Sequence, residues 1–143
     1  MMPFSIRDLT TNDIDETASL LRLAFSAHYS DWLKTHEDAV EEVKESLQED
    51  RISRIAVNEN SAIIGWIAGL QAYDNDTWEL HPLAVHPDAQ GTGIGRALVN
   101  DLEAQVRARG GLSIMLGTDD TDNQTSLSGI DLYPNVWEHI QRI

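Results

Sequence analysis

Gln90-Gly91-Thr92-Gly93-Ile94-Gly95-Arg96 is the stretch from which the fold of this 143-residue chain is read. Upstream, the run from Leu80 to Val85 is apolar but for His81, with Pro82 inside it. Downstream, Ile94, Leu98, Leu102 and Val106 recur at helical spacing. The sequence therefore predicts a strand, a glycine-rich turn and a helix start in direct succession. Such a turn leaves backbone N–H groups without intrahelical acceptors, and the helix dipole adds partial positive charge there. Without Cβ atoms the glycines let an anion approach closely. Together these make a phosphate site. Glycines at this spacing equally suit a flexible helix entry, and Arg96 suits either a phosphate partner or a solvated charge.

Working outward, the helix after the turn runs from Gly93 to Arg109 and ends on Gly110-Gly111. Leu112–Leu116 is the next strand, and a strand–helix–strand unit gives a parallel pair. On the other side lie three strands, Arg51–Val57, Ala62–Tyr73 and Trp78–His86, with a turn at Asn58–Ser61. They form an antiparallel meander, in which Gly65 and Gly69 allow close backbone approach or a bulge. The chain begins with an alternating strand, Phe4–Leu9, then a helix over Asp13–His28 with Ile14, Ala18, Leu21 and Phe25 on one face. A second helix, Glu37–Gln48, has Ala39, Val40, Val43 and Leu47 as its stripe. Its acids (Glu37, Asp38, Glu41, Glu42, Glu45 and the following Glu49) read as a solvated face, with a cation-binding rim as the alternative. Residues 118–128 read as a polar loop, and Pro134 starts a short helix to Gln141. The expected fold is α/β (α+β) in one domain, residues 1–143: a mixed central sheet, antiparallel then parallel, flanked by helices.

The net charge of −14 argues against nucleic acid, which wants a basic face. It suits a cationic small molecule, or solubility alone. With no cysteine, disulfides, thiolate metal sites and a cysteinyl acyl-enzyme are excluded. No apolar run reaches transmembrane length, so no membrane partner is expected. The N-terminus lacks the pattern of a signal peptide, which makes a cytoplasmic protein the expectation.

Gln90-x-x-Gly93-x-Gly95, placed between a strand and a helix, matches the Gln/Arg-x-x-Gly-x-Gly/Ala signature of the GNAT acetyltransferase superfamily. Trp78-Glu79-Leu80-His81-Pro82-Leu83, Arg109-Gly110-Gly111 and Leu116-Gly117-Thr118-Asp119-Asp120 resemble one subgroup, the aminoglycoside 6'-N-acetyltransferases of the chromosomal enterococcal type. The resemblance implies that Gln90, Gly91, Thr92, Gly93, Ile94, Gly95 and Arg96 hold the pyrophosphate of acetyl-CoA. It also implies that the backbone of Leu83, Ala84 and Val85 receives the pantetheine arm, and that the protein is a homodimer. The family's domain normally continues with a helix, which carries a tyrosine that protonates the thiolate, and two strands. Here the sequence ends before that region, and Tyr133 lies too early to be that tyrosine. The last strand is then expected to be an exposed edge.

Glu79 and His81, two apart on a strand, share a face. They read either as a functional pair beside the loop, with Glu79 accepting a proton or anchoring a cationic acceptor and His81 orienting the acceptor or relaying the proton, or as a hydrogen-bonded pair at a sheet rim; the resemblance favours a functional Glu79. Asp119 and Asp120 follow a strand end, where they can bind ammonium groups of an aminoglycoside, coordinate a hard metal (for which no full ligand set is readable) or simply sit in solvent. Trp66 and Trp78 read as core, and Trp32, in a connection, as the tryptophan facing a ligand. His28, His36, His86 and His139 show no metal spacing, and no metal is expected. The expectation is an N-acetyltransferase acting directly on a polycationic amine, most specifically the 6'-amine of an aminoglycoside. The alternatives are another amine, such as a polyamine, a protein N-terminus or a lysine, or a coenzyme A-binding module without turnover.

Overall fold

The computed structural model describes residues 3–25, 35–72 and 76–116. In chain order they form β1 (Phe4–Asp8), α1 (Ile14–Phe25), α2 (His36–Glu45), β2 (Arg51–Asn58), β3 (Ile63–Gln71), β4 (Thr77–Val85), α3 (Ile94–Ala108) and β5 (Ser113–Leu116). The strands lie in sequence order in one five-stranded sheet. The first four are antiparallel neighbours, and β5 runs parallel to β4. This is the expected mixed sheet. The expected C-terminal helix lies outside the described residues.

The sheet is covered on both faces. On one, Ile94, Leu98, Leu102 and Val106 of α3 pack on Ile52, Ala56, Ile67, Trp78 and Leu80. On the other, Ala18 and Leu21 of α1 and Ala39 and Val43 of α2 pack on Ile55, Trp66 and Ala84. The α2 stripe is narrower than its periodicity suggests. Leu47 lies beyond the helix end and is exposed, because the chain turns at Ser46 towards β2.

Two features set the positions of the helices. A Cβ on Gly65 would stand 2.8 Å from Cδ1 of Leu98, and one on Gly69 3.0 Å from Cδ1 of Leu102. These glycines therefore let α3 sit directly on β3. Under α2, the Trp66 indole N–H donates to Ser53 Oγ (2.9 Å), the Ser46 hydroxyl lies 2.8 Å from the same oxygen, and Ser46 Oγ also donates to the Val43 carbonyl. That buried chain ties β3, β2 and the end of α2 together and satisfies groups that would be costly to bury alone. At the other end of α2, Thr35 and Asp38 exchange side-chain and backbone hydrogen bonds as a capping box.

The connection from β1 to α1 is closed by an ion pair. Arg7 donates to both carboxylate oxygens of Asp13, at 2.8 and 3.1 Å. The guanidinium holds the Asp13 carboxyl down at about 2.

Gly65→Val is expected to destabilise by about 1–3 kcal/mol through overpacking, and Leu98→Ala by about 2–5 kcal/mol. In urea unfolding the double variant should lose less than the sum, because Leu98 supplies the clashing atom. Asp13 binds its proton less readily folded than unfolded, so its contribution is complete above the ordinary carboxylate range and is lost as pH falls from about 4 towards 2. The melting-temperature gap between wild type and Asp13→Asn should narrow over that window.

Candidate functional site

The site is built where β4, the glycine-rich loop and the start of α3 meet. The loop is seated by short-range hydrogen bonds. His86 Nδ1 accepts from the Asp88 N–H (3.1 Å), Gln90 Nε2 donates to the Val85 carbonyl (3.3 Å), and the Thr92 hydroxyl donates to the Ala89 carbonyl. Gly91 and Gly93 take φ values of 80° and 91°, where a side chain is strained. Nothing lies within 4 Å of a Cβ built on either. The backbone N–H groups of Gly91 to Arg96 have no acceptor among the described residues, and the first α3 bond that the loop closes runs from Ala97 to the Gly93 carbonyl. Such a row of N–H groups at a helix N-terminus, open on the side that the two glycines leave bare, suits an anion. Ile94 and Gly95 are buried and anchor the helix, while Arg96 is exposed beside that row. A diphosphate fits these groups: a donor row, a helix dipole and a space that only glycine leaves open.

β4 carries the second half of the site. Ile67 of β3 stands opposite Leu83, but Gly69 stands opposite Leu80, so β4 holds one extra residue at His81-Pro82. The bulge resets the alternation. Trp78 and Leu80 before it and Leu83 and Val85 after it all join the α3-side core, whereas Ala84 faces α1 and α2. The side chains of Ala84 and Val85 are thus core, and Leu83 is partly buried against it. β4 pairs with β5 over Thr77–Leu80. Among the described residues no strand lies along that edge from His81 to Val85.

Glu79 and His81 face away from the α3 side, as their spacing requires. Both are half-buried. The His81 imidazole meets a partner that sequence reasoning missed: its Nε2 lies 3.4 Å from Glu42 Oε1 of α2. The sequence reading places Glu42 among acids of a solvated face, with a cation-binding rim as the alternative, but it follows Ala39 by three residues and precedes Val43. That places it on the margin of the buried stripe, and the spacing was the available signal. Spacing assigns His86 no role; the structure makes it the cap of the turn that leads into the loop. Trp32, Asp119, Asp120 and Tyr133 lie outside the described residues. Among the described residues no group of three or more His, Asp or Glu side chains is placed to hold a metal, and no helix is long and apolar enough to cross a membrane.

Residues 17–133 match the acetyltransferase (GNAT) family. An acetyltransferase of Pectobacterium atrosepticum is 32% identical over 80 residues, which cover 56% of this chain and 55% of that protein. The chain thus spans just over half the length of this curated relative. Among solved structures, the aminoglycoside 6'-N-acetyltransferase of Enterococcus faecium is 37% identical, with a TM-score of 0.69 over 94% of this chain and 72% of the other. An aminoglycoside 6'-N-acetyltransferase complexed with coenzyme A is likewise 37% identical, with a TM-score of 0.70 over the same shares.

The loop makes a direct prediction. Gly93→Ala keeps its strained φ and places a methyl group in the open space, so calorimetric titration with coenzyme A should show binding weakened on the order of tenfold. That is the ~1.4 kcal/mol of one lost charge-assisted hydrogen bond. Gly110, at the far end of α3, has φ 84° and equally open space. Gly110→Ala should carry similar backbone strain and leave the affinity unchanged.

Proposed function

The chain belongs to the acetyltransferase (GNAT) family, and we propose that it transfers an acetyl group from acetyl-CoA to a primary amine of a polycationic small molecule, most specifically the 6'-amine of an aminoglycoside. The observation that carries this reading is the adjacency of two half-sites. The Gly91–Arg96 cradle suits a diphosphate, and it continues directly into a β4 edge whose inner face carries Glu79 and His81.

Acetyl-CoA supplies the activated acetyl group as a thioester. The protein's part is to hold it, to receive the amine and to manage one proton. The cradle fixes the diphosphate. The backbone of Leu83, Ala84 and Val85 takes up the pantetheine arm, with an N–H near Leu83 directed at the carbonyl where charge develops. Glu79 binds the acceptor's ammonium group or accepts its proton, directly or through water. His81 orients the acceptor or relays that proton. Trp32, Asp119 and Asp120 complete the acceptor side in this reading, the two aspartates as ammonium partners.

Two facts support a polycationic acceptor. The net charge of −14 concentrates cations near the surface, and the relatives at 37% identity are aminoglycoside 6'-N-acetyltransferases. On this reading the protein works in the cytoplasm as a homodimer, where acetyl transfer would give aminoglycoside resistance.

The test is release of coenzyme A, followed with a thiol reagent; the chain has no cysteine to interfere. Kanamycin, tobramycin, spermidine and a lysine peptide serve as separate acceptors. Release with the two aminoglycosides alone is the expected result, and Glu79→Gln should then lower kcat/KM by about tenfold or more. Release only with spermidine or the peptide would replace the acceptor class. Silence with all four would leave a coenzyme A-binding module without turnover.

A further inference from the structure

We infer that His86 is a positioning residue for the Gly91–Arg96 loop and makes its affinity for coenzyme A proton-dependent: the neutral imidazole holds the turn that carries the loop, and a proton on Nδ1 releases it. The inference rests on the reading of that loop as the coenzyme A site and adds a control to it. Three observations carry it. First, a hydrogen bond sets the tautomer. The Asp88 N–H donates to His86 Nδ1 at 3.1 Å. A backbone N–H can only donate, so Nδ1 holds the lone pair and Nε2 the proton. Second, the ring is where the turn can be freed. The backbone of His86 is held on both sides, its N–H by the Ile64 carbonyl (2.9 Å) and its carbonyl by the Ala89 N–H (2.8 Å). Beyond it the bonds back towards β4 are long, 3.5 Å from the Gln90 N–H to the Pro87 carbonyl and 3.3 Å from Gln90 Nε2 to the Val85 carbonyl, and bonds of that length are weak. Third, the turn is tied to the loop. Thr92, between the positive-φ glycines Gly91 and Gly93, donates its hydroxyl to the Ala89 carbonyl at the end of the turn, so a shift of the turn is passed to the donor row.

Protonation reverses the sense of the ring contact. An Nδ1–H and the Asp88 N–H are two donors facing each other, so the cap is lost. A competing partner stands beside the ring: Asp88 Oδ2 is 3.9 Å from Nδ1, and it takes the Nδ1–H once the ring turns. The proton comes from solvent, which reaches the His86 side chain through its 31% accessible surface. Histidine is the side chain suited to such a change near neutral pH. Asp88 is the charged group on the turn itself. On the elements around it, Glu16 of α1 accepts from the Ile63 N–H at the start of β3 (2.8 Å), while Glu59, in the turn before β3, and Arg96, in the first turn of α3, are exposed.

Calorimetric titration of the full chain with coenzyme A tests this at about pH 8 and about pH 5.5, on either side of the range in which imidazoles titrate. The ligand's phosphates and the protein's acids gain protons over the same interval. The quantity read is therefore the ratio of the wild-type affinity to that of His86→Asn, in which those changes cancel. Asparagine accepts the same N–H at a cap and does not titrate. At the higher pH, His86→Ala should weaken binding about fivefold, the scale of one lost cap, and His86→Asn should restore it to within about twofold of wild type. At the lower pH the wild type should bind about fivefold more weakly than His86→Asn, because it then lacks the same cap. NMR of the ligand-free wild type gives a readout that needs no variant. At the higher pH the His86 ring proton should sit on Nε2, and the Asp88 N–H resonance should move upfield as His86 titrates. A ring proton on Nδ1, or an Asp88 resonance that ignores the titration, overturns the inference. So does an affinity ratio that is the same at both pH values, a His86→Ala protein that binds as wild type at the higher pH, or a His86→Asn protein that fails to restore binding. Any of these in a wild type that binds coenzyme A overturns this inference alone. A wild type that binds no coenzyme A at the higher pH overturns the reading of the loop and this inference with it.

Discussion

The closeness of α3 to β3 decides where everything else at the site can be. Gly65 and Gly69 remove the Cβ atoms that would hold Leu98 and Leu102 away. The helix therefore settles onto the strand instead of riding above it. Its axis is then fixed relative to β4, and its N-terminus comes to rest at the point where β4 ends. The Ile94–Val106 stripe is buried along its whole length, so the helix cannot roll without exposing apolar surface, at about 25 cal/mol per Å². The donor row of the loop inherits that rigidity. A donor row placed on a packed helix instead of a free loop would lose little ordering entropy on taking up an anion.

The bulge at His81-Pro82 does the complementary work on the strand. A regular β4 would bring Leu83 and Val85 to the face that holds Glu79, and would leave the α3 core short of two apolar side chains. One extra residue keeps both sets of side chains where they belong. The two faces of β4 thus serve different ends. One contributes to the core under α3, and the other carries Glu79 and brings the His81 imidazole to Glu42 of α2. The Arg54 guanidinium binds Asp101 of α3 (2.8 and 3.1 Å) and Asp8 of β1 (2.8 Å). It adds a charged tie between the sheet and the helix, well away from the cradle.

Most of this frame is legible in the sequence, because it rests on local periodicity. Ile94, Leu98, Leu102 and Val106 fall on one stripe whatever they pack against. Gly110 with its positive φ ends the helix as its position suggests. The Asn58–Ser61 turn closes through Asn58 Oδ1, which accepts from the N–H groups of Asn60 and Ala62. What periodicity does not carry is the third dimension. Glu42 is one acid among several on a polar helix, and only the seat of α2 on the sheet makes it the one that meets His81. Leu47 continues the stripe in the sequence but lies past the point where the helix stops. The phase change in β4 is announced by a proline inside an apolar run, yet its consequence for Leu83 and Val85 is visible only against the β3 register. His86 has no metal spacing, and its use as a backbone cap depends on a turn that spacing does not describe.

The most direct test of the account is the identity of the product. Kanamycin incubated with the protein and acetyl-CoA is analysed by mass spectrometry, and the modified position is located by NMR. The account predicts a single added acetyl group on the 6' nitrogen, formed in step with coenzyme A release. Unmodified kanamycin beside free coenzyme A would contradict it, because the cradle would then bind the thioester without directing the acetyl group to an amine.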